Sequence, residues 1–264
     1  MDDLVVRTFI AIDTETNGLD PAVNKIVEIG YAIFDADRRR LMSVGGWFVN
    51  RSKDTDAPDS RDEIPPEAFA VNQIEAEWVR LHGVSEEMAV VRLNELFALP
   101  GTVAIVGHNL RFDTAMMAAV GWVPTVQAID TMTDLPMGAG NKSLAYAALD
   151  HKVLSFFGHR AAWDSVQTGK ILCTYQFDEI LARSKSPQVI LAADVVFREN
   201  DKAKRLFFRW ERPNRFDDLR IPKTWVKSLK ALDLHDEQAK CGKAGVMTHI
   251  VNLETATTNG DNKK

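Results

Sequence analysis

The stretch TFIAIDTETNGLD, residues 8–20, sets a run of apolar residues directly against two acidic ones, Asp13 and Glu15. A short run rich in isoleucine and phenylalanine predicts a buried β-strand. Side chains alternate along a strand, so both carboxylates belong to one face at its end. Two ionised groups side by side repel each other unless a cation lies between them or one keeps its proton. Taken alone, the pattern is weak and is more often a turn that begins at Asp13 than a functional site.

The rest of the chain alternates between strand and helix patterns. Strands are predicted at residues 6–13, 25–37, 40–50 and 102–109, and a polar, proline-bearing loop at residues 51–67. Helical patterns follow at residues 68–83, 85–99, 111–122, 141–152 and 159–185. This order indicates an α/β sheet, in which ligands bind beyond the carboxyl ends of the strands. Asp13 and Glu15 are expected at such an end.

Composition restricts the class of protein. Hydrophobic residues make up 45% and charged residues 26% of the 264 residues, which is typical of globular proteins. No apolar run reaches the ~18 residues of a membrane span, and the N-terminus lacks a signal-peptide pattern, so we expect a cytoplasmic protein without membrane contact. Cys173 and Cys241 lie in no metal-binding spacing and are expected to be reduced thiols. With a net charge of −5, the chain has no overall positive charge that would attract nucleic acid.

Two further motifs add acidic residues and histidines to the first. GHNLRFD places His108, Asn109 and Asp113 where the fourth strand leads into a helix, and HRAAWD places His159 five residues before Asp164. Hard divalent ions such as Mg²⁺ or Mn²⁺ prefer oxygen ligands from a few carboxylates. Four carboxylates at strand and helix ends, with one histidine, meet that requirement.

In this order, DTETNGL, HNLRFD and HRAAWD, with RLHGV between the first two, resemble the DEDDh (DnaQ-like) 3′→5′ exonuclease family. That family includes the epsilon proofreading subunit and exodeoxyribonuclease X. The resemblance covers about residues 7–184 and implies a ribonuclease H-like fold, a mixed sheet flanked by helices. It also implies catalytic roles for His159, as general base, and Glu15. The implied metal ligands, for two Mg²⁺ or Mn²⁺ ions, are Asp13, Glu15, Asp113 and Asp164.

The same resemblance implies a set of substrate-binding residues. Thr16 and Leu19 would line the pocket of the terminal nucleotide, and His82 and Glu77 would approach it from the intervening segment. Asn109 and Phe112 are two further candidates for substrate binding. Asn109 also fits a role in orienting the loop before Asp113, and Phe112 is more often a core residue than a base-stacking one. His108 fits a hydrogen-bonding residue at the strand end.

Beyond residue 185 the pattern changes. Residues 186–253 are expected to form a small α+β domain, with the order strand, helix, strand and a later strand. Residues 254–264 are expected to be a disordered tail. Residues 198–230 hold eleven basic and five acidic residues, interleaved with Trp210, Trp225 and three phenylalanines. This mixture suits nucleic-acid binding through phosphates and base stacking. The alternative is a core of aromatic residues, Trp210 and Trp225 included, with a solvated basic face.

The predicted activity is a metal-dependent 3′→5′ exonuclease that releases nucleoside monophosphates from single-stranded DNA ends, with a two-metal mechanism. Two alternatives stay open: an exoribonuclease acting on RNA, and a non-catalytic nucleic-acid-binding adaptor that keeps the fold. A DNA polymerase is a candidate partner, and the sequence leaves the oligomeric state open. The intact set of carboxylates favours the enzyme.

Overall fold

The computed structural model describes residues 5–51, 63–137, 143–154, 158–212 and 223–251. The chain divides into two compact units. The first comprises Met1–Met137 and Asn141–Ser184, and the second comprises Gly138–Gly140 and Lys185–Lys264. Among the helices in the described residues, none is both long and apolar enough to cross a membrane.

The first unit is built on a five-stranded sheet. Its strands are β1 (Thr8–Thr16), β2 (Ile26–Asp35), β3 (Arg40–Phe48), β4 (Thr102–Gly107) and β5 (Gln127–Asp130), in the order β3-β2-β1-β4-β5. β1 pairs antiparallel with β2 and parallel with β4. At the two edges, β3 pairs antiparallel with β2, and β5 pairs parallel with β4. This confirms the predicted mixed sheet. β5 has only four residues and was not predicted.

Helices cover both faces of this sheet. They are α1 (Pro66–Asn72), α2 (Ala76–His82), α3 (Glu86–Phe97), α4 (Leu110–Ala119), α5 (Leu144–Asp150), α6 (Ala161–Leu172) and α7 (Phe177–Ser184). Phe9 and Ala11 pack in one core with α6 and α7, whereas Ile10 and Ile12 pack in another with α3 and α4. β1 is therefore buried on both faces, as its continuous apolar run predicts.

Two helical predictions were wrong in detail. Residues 159–185 form two helices, because the hydroxyl of Thr174 donates to the carbonyl of Ile171 at 2.7 Å and the chain turns before α7 begins. Residues 68–83 also contribute to two short helices, since Gln73 adopts a left-handed conformation (φ 54°) that ends α1.

The second unit is a four-stranded antiparallel sheet in the order β7-β8-β6-β9. Its elements are β6 (Gln188–Asp194), α8 (Asn200–Arg205), β7 (Arg209–Glu211), β8 (Thr224–Lys230), α9 (Leu234–Lys243) and β9 (Met247–Ile250). This confirms a small α+β fold, although α9 was not predicted. Trp225 belongs to the core with Phe208, but Trp210 is 54% exposed, so the core interpretation fails for Trp210. The predicted disordered tail and residues 213–222 of the basic segment lie outside the described residues.

Candidate active site

Three elements bring the predicted carboxylates to the carboxyl end of β1. Asp13 and Glu15 follow Phe9 and Ala11 in the two-residue period of the strand, so they share the face that α6 covers. Asp164 lies in the first turn of α6. Asp113 lies in the first turn of α4, which packs on the opposite face.

Thr14 connects the two faces. Its side chain alternates with those of Asp13 and Glu15, and it binds the α4 carboxylate directly. The backbone N–H and the hydroxyl of Thr14 both donate to Oδ1 of Asp113, at 2.9 Å and 2.7 Å. The sequence prediction did not single out Thr14, although its place between the two acids of the strand was a usable signal.

A glycine lets α6 approach the sheet closely enough to bring in Asp164. Gly30 pairs with Asp13 across β2 and β1. A Cβ atom added at Gly30 would lie 2.1 Å from the backbone carbon of Ala161, so only glycine allows this contact. The hydroxyl of Ser165 donates to the carbonyl of Gly30 at 3.0 Å. The first turn of α6 therefore rests on the strand beside Asp13.

An ion pair between the buried Glu28 and the half-exposed Arg160 holds the chain as it enters α6. Glu28, the third residue of β2, accepts hydrogen bonds from Nε and Nη2 of Arg160, at 3.1 Å and 2.9 Å, and from the backbone N–H of Ala161 at 3.2 Å. Sequence reasoning missed this pair. The signal was a glutamate within the otherwise apolar run IVEIGYAIF.

His159 precedes α6 in a left-handed backbone conformation, with φ of 66°. This conformation is uncommon for a residue other than glycine and is typical of functional sites. Its backbone N–H donates to Oδ2 of Asp164 at 2.9 Å. A ring nitrogen of the exposed His159 side chain and carboxylate oxygens of Glu15 and Asp164 all lie within 4.8 Å of one another. These three side chains can reach a common ligand.

Burial raises the pKa of each of the four carboxyl groups, and repulsion from neighbouring carboxylates adds to the rise. Burial is the largest cause for every one of them. It raises the pKa of Glu15 to about 8, with the neighbouring carboxylates adding to the effect and Arg160 opposing it. The pKa of Asp113 rises to about 7, although the hydrogen bonds from Thr14 lower it. The pKa values of Asp13 and Asp164 are raised as well.

This electrostatic arrangement fits a divalent cation. Carboxylates that repel one another at neutral pH need positive charge, and Arg160 is already bound to Glu28. Oxygen-rich donor sets of this kind suit Mg²⁺ or Mn²⁺ rather than a soft metal.

A pocket of about 530 Å³ adjoins the carboxylates. Glu15 lines it, together with three of the predicted substrate-binding residues, Thr16, Leu19 and Phe112. Apolar side chains from α1 and the segment before it also line the pocket, together with the polar residues Asn17, Glu67 and Asn72. The pocket therefore combines apolar side chains with two carboxylates, of which Glu15 belongs to the cluster.

The other predicted substrate-binding residues lie elsewhere. Glu77 forms an ion pair with Arg80 at 3.0 Å, and the ring of His82 lies 4.0 Å from that of Trp78. Neither Glu77 nor His82 is among the described residues that line the pocket. Their contact with substrate stays a prediction.

The residues between β4 and α4 turn the chain into the helix that carries Asp113. Asn109 adopts a left-handed conformation (φ 67°), and its backbone N–H donates to Oδ1 of Asp130 at 2.9 Å. Nδ1 of His108 lies 2.9 Å from the hydroxyl of Thr131. These contacts agree with the orienting interpretation of Asn109 and the strand-end interpretation of His108.

Comparison with known proteins decides the family. The family model RNase_T, described as "Exonuclease", matches residues 10–172, which contain the four carboxylates and His159. The chain belongs to this exonuclease family. It is a DEDD-type 3′→5′ exonuclease, a hydrolase that acts on nucleic acid.

Relatives of this exonuclease agree in sequence and in fold. Ribonuclease T of Blochmanniella pennsylvanica is 28% identical over 186 residues, which are 62% of this chain and 82% of that protein. E. coli exonuclease I in complex with a dA16 oligonucleotide is similar with a TM-score of 0.56 and 16% identity, over 96% of this chain and 70% of the other. The zinc-bound complex of E. coli exonuclease I with single-stranded DNA is similar with a TM-score of 0.59 and 16% identity, over 97% of this chain and 70% of the other. At this identity the structures show the shared ribonuclease H-like fold.

Proposed function

We propose that this exonuclease depends on divalent metal ions and releases nucleoside monophosphates from the 3′ ends of single-stranded DNA. The similar exonuclease I structures contain single-stranded DNA, which supports DNA as the substrate. The relative named ribonuclease T favours RNA as a second candidate.

The observation that carries the proposal is the position of Glu15. This residue lines the apolar pocket and also lies within 4.8 Å of His159 and Asp164. Apolar walls with a few polar groups suit a nucleoside, whereas a carboxylate cluster would repel its phosphate unless cations are bound. A 3′-terminal nucleoside in the pocket would place its 5′ phosphate at the carboxylates.

Asp13, Glu15, Asp113 and Asp164 would hold two Mg²⁺ or Mn²⁺ ions. When bound, such ions neutralise the carboxylates, help to activate a water molecule and stabilise negative charge that develops on the attacked phosphate. Thr14 keeps Asp113 fixed through two hydrogen bonds. The contact of Gly30 with α6 keeps Asp164 beside the strand.

His159 acts as the general base in this proposal. Its ring is exposed to solvent and reaches the region between Glu15 and Asp164, where the attacking water must approach. The imidazole takes the proton of that water as its oxygen bonds to phosphorus, and later gives the proton to solvent. The bond from phosphorus to the 3′ oxygen breaks, and that oxygen takes a proton from solvent and becomes the new 3′ hydroxyl. The hydrogen bond from its own backbone N–H holds the backbone of His159 beside Asp164.

The test compares wild-type protein with Asp13→Asn on 5′-labelled DNA and RNA oligonucleotides of one sequence, in Mg²⁺, in Mn²⁺ and in EDTA. We expect a ladder of DNA products shortened from the 3′ end, release of nucleoside monophosphates, and no products in EDTA. Loss of a residue that only supports a metal ligand typically lowers metal affinity or activity ~10–100-fold, so loss of a proposed ligand itself should lower activity more than ~10²-fold. Thermal unfolding confirms that the variant is folded.

Two other outcomes would change the proposal. Faster shortening of RNA than of DNA selects the exoribonuclease. Wild-type turnover by Asp13→Asn in saturating Mg²⁺ overturns the assignment of the site.

A further inference from the structure

Glu28 lies directly opposite Glu15 in the sheet. The pairing of β1 with β2 sets these two glutamates side by side, and the pairing of β2 with β3 sets Phe48 on the other side of Glu28. Directly opposite residues on neighbouring strands project from the same face, where like charges repel each other. Both glutamates are buried. A fifth carboxylate therefore lies beside the four proposed metal ligands, and its negative charge needs a partner.

Arg160 is that partner. Its Nε and Nη2 donate to the two carboxylate oxygens of Glu28, at 3.1 Å and 2.9 Å. Its guanidinium carbon lies 5.7 Å from the centre of the Phe48 ring, so the guanidinium extends over the same row of residues. The backbone N–H of Ala161 also donates to Glu28. Both oxygens of Glu28 are thus engaged by the segment that leads into α6.

Arg160 acts on Glu15 without binding it. Burial is the largest cause of the raised pKa of Glu15, and the charge of Arg160 opposes that rise. The hydrogen bond to Glu28 is the largest cause of the raised pKa of Arg160, and the charge of Glu15 adds to it. Within the described part of the chain, Arg160 forms an ion pair with Glu28 and none with Glu15. A guanidinium that bound Glu15 would occupy a carboxylate that a metal ion needs.

We propose that Glu28 is a positioning residue that holds Arg160 away from Glu15, so that Glu15 stays free to bind a metal ion. The inference rests on the proposed function, in which Glu15 is a ligand of Mg²⁺ or Mn²⁺. A carboxylate fixes the planar guanidinium of arginine at two points, which sets its direction. The side chain of Arg160 is half-exposed and has room to turn if Glu28 is lost. A released guanidinium would then compete with the metal ion for Glu15.

The test measures binding of Mn²⁺ to metal-free, full-length protein without nucleic acid, by electron paramagnetic resonance of the free ion. Glu28→Gln preserves side-chain size and removes the charge that holds Arg160. We expect this variant to bind Mn²⁺ ~10–100-fold more weakly, the usual range for loss of a residue that supports a metal ligand. Thermal unfolding in EDTA confirms that each variant is folded.

Arg160→Met shows how Glu28 acts. Methionine keeps an apolar stem beside Phe48 and removes the competing charge, and the buried Glu28 then favours its protonated form. We expect Arg160→Met to bind Mn²⁺ at least as tightly as wild type. Adding Glu28→Gln to Arg160→Met should change the affinity by no more than about 2-fold, the usual scatter between independent effects. Glu237→Gln is the matched control, because it removes the partner of Lys227 in another partly buried ion pair and should bind Mn²⁺ as wild type does.

Three results would overturn the inference. Glu28→Gln with wild-type affinity for Mn²⁺ would show that Arg160 does not compete. Equal weakening by Glu28→Gln with and without Arg160 would show that Glu28 acts through its own charge. Weaker binding by Arg160→Met alone would show that the pair only holds the start of α6, and this result is decisive even if Glu28→Gln does not fold.

Failure of the proposed function looks different. In that case wild-type protein and Asp13→Asn would bind Mn²⁺ equally, because the carboxylates would not form the metal site, and the inference would fall with the proposed function.

Discussion

Thr14 donates two hydrogen bonds to a single oxygen of Asp113, from its backbone N–H at 2.9 Å and from its hydroxyl at 2.7 Å. The contact joins the end of β1 to the first turn of α4. Burial raises the pKa of Asp113 to about 7, and these two hydrogen bonds oppose the rise because they favour the ionised form. A threonine between two acids thus keeps a third carboxylate available for a cation.

Thr14→Val removes the hydroxyl donor and nearly preserves side-chain volume. We expect the pKa of Asp113 to rise further, the Mg²⁺ concentration for half-maximal activity to increase ~10–100-fold, and the activity profile to shift to higher pH. Thr14→Ser keeps the hydroxyl and should resemble wild type. Titrations of activity against Mg²⁺ at several pH values provide the measurement, and an unchanged Mg²⁺ requirement in Thr14→Val would refute the role given to the hydroxyl.

The raised pKa values also predict how stability depends on pH without metal. The pKa of Glu15 is about 8 in the folded protein, whereas a glutamate in an unfolded chain titrates near ~4.3. Between these values the folded protein binds a proton that the unfolded chain has released. The free energy of unfolding therefore falls as pH rises through this window, by at most ~1.4 kcal/mol per pH unit for this group.

Melting temperatures from pH 5 to pH 9, in EDTA and in Mg²⁺, test this expectation. In EDTA, Glu15→Gln should lose less stability than wild type as pH rises, because the titrating group is gone. Mg²⁺ should stabilise wild type more at pH 8 than at pH 5, since binding needs ionised carboxylates. Parallel pH profiles for the two proteins in EDTA would contradict the raised pKa of Glu15.

His159→Asn removes the proposed general base and is designed to keep the backbone conformation of this position. Asparagine tolerates the left-handed conformation of this position better than most residues, so the N–H bond to Asp164 should survive. General-base catalysis is typically worth ~10²–10⁴ in rate, and we expect a loss in this range at neutral pH. Hydroxide can partly replace the base, so activity should partly return in alkaline buffer. A variant with the wild-type pH profile would show that another group takes the proton.

The strand that ends in Asp13 and Glu15 was predictable because burial on both faces leaves a continuous apolar run. The third and fourth carboxylates could be placed because each follows a strand end or opens a helix. Glu28 was not predictable as a site residue. Its partner Arg160 lies 132 residues away in sequence, and such a pair depends on tertiary packing that periodicity does not reveal.

The break after α6 had a similar cause. The apolar spacing of residues 159–185 continues across Thr174 and Tyr175, so the pattern predicts one helix. The hydroxyl of Tyr175 instead lies 2.6 Å from Nε2 of His151, next to the end of α5. At this break a contact with a distant segment therefore acts together with the local hydrogen bond from Thr174 to Ile171. β5 was missed since four residues carry too little periodicity.

Gly30→Ala tests how α6 positions the site. The added Cβ would meet the backbone of Ala161, which cannot move aside as a flexible side chain can. We expect a loss of ~1–3 kcal/mol in the free energy of unfolding, from overpacking. A shift of ~1 Å in Asp164 and His159 would also cost ~10²-fold in kcat. Gly242→Ala in α9 is the matched control, because its Cβ meets no atom within 4 Å. Wild-type stability and kcat in Gly30→Ala would refute the close-contact argument.

The second unit exposes basic and aromatic side chains on adjoining elements. Arg205 ends α8, and Arg209 and Trp210 belong to β7; all three are exposed. Other basic residues of the segment are engaged within the unit. Lys227 lies 2.7 Å from Glu237, and the buried Lys230 donates to the carbonyl of Ser186. We propose that the exposed group contacts the phosphates of a longer substrate, with docking of a protein partner such as a DNA polymerase as the alternative.

Binding of single-stranded DNA against salt concentration distinguishes these two roles. The measurement uses full-length protein carrying Asp13→Asn to prevent cleavage, with and without Arg205→Gln and Arg209→Gln. Each lost phosphate contact should flatten the slope of log K against log salt by ~0.7, so the pair should flatten it by ~1.4 if both arginines bind phosphate. Lys170→Gln removes a positive charge from the last turn of α6 and should leave the slope unchanged. Equal slopes for the arginine variant and its parent would exclude phosphate contact by these residues. The exposed Trp210 would then be better explained as a protein-docking residue, because an aromatic contact depends little on salt.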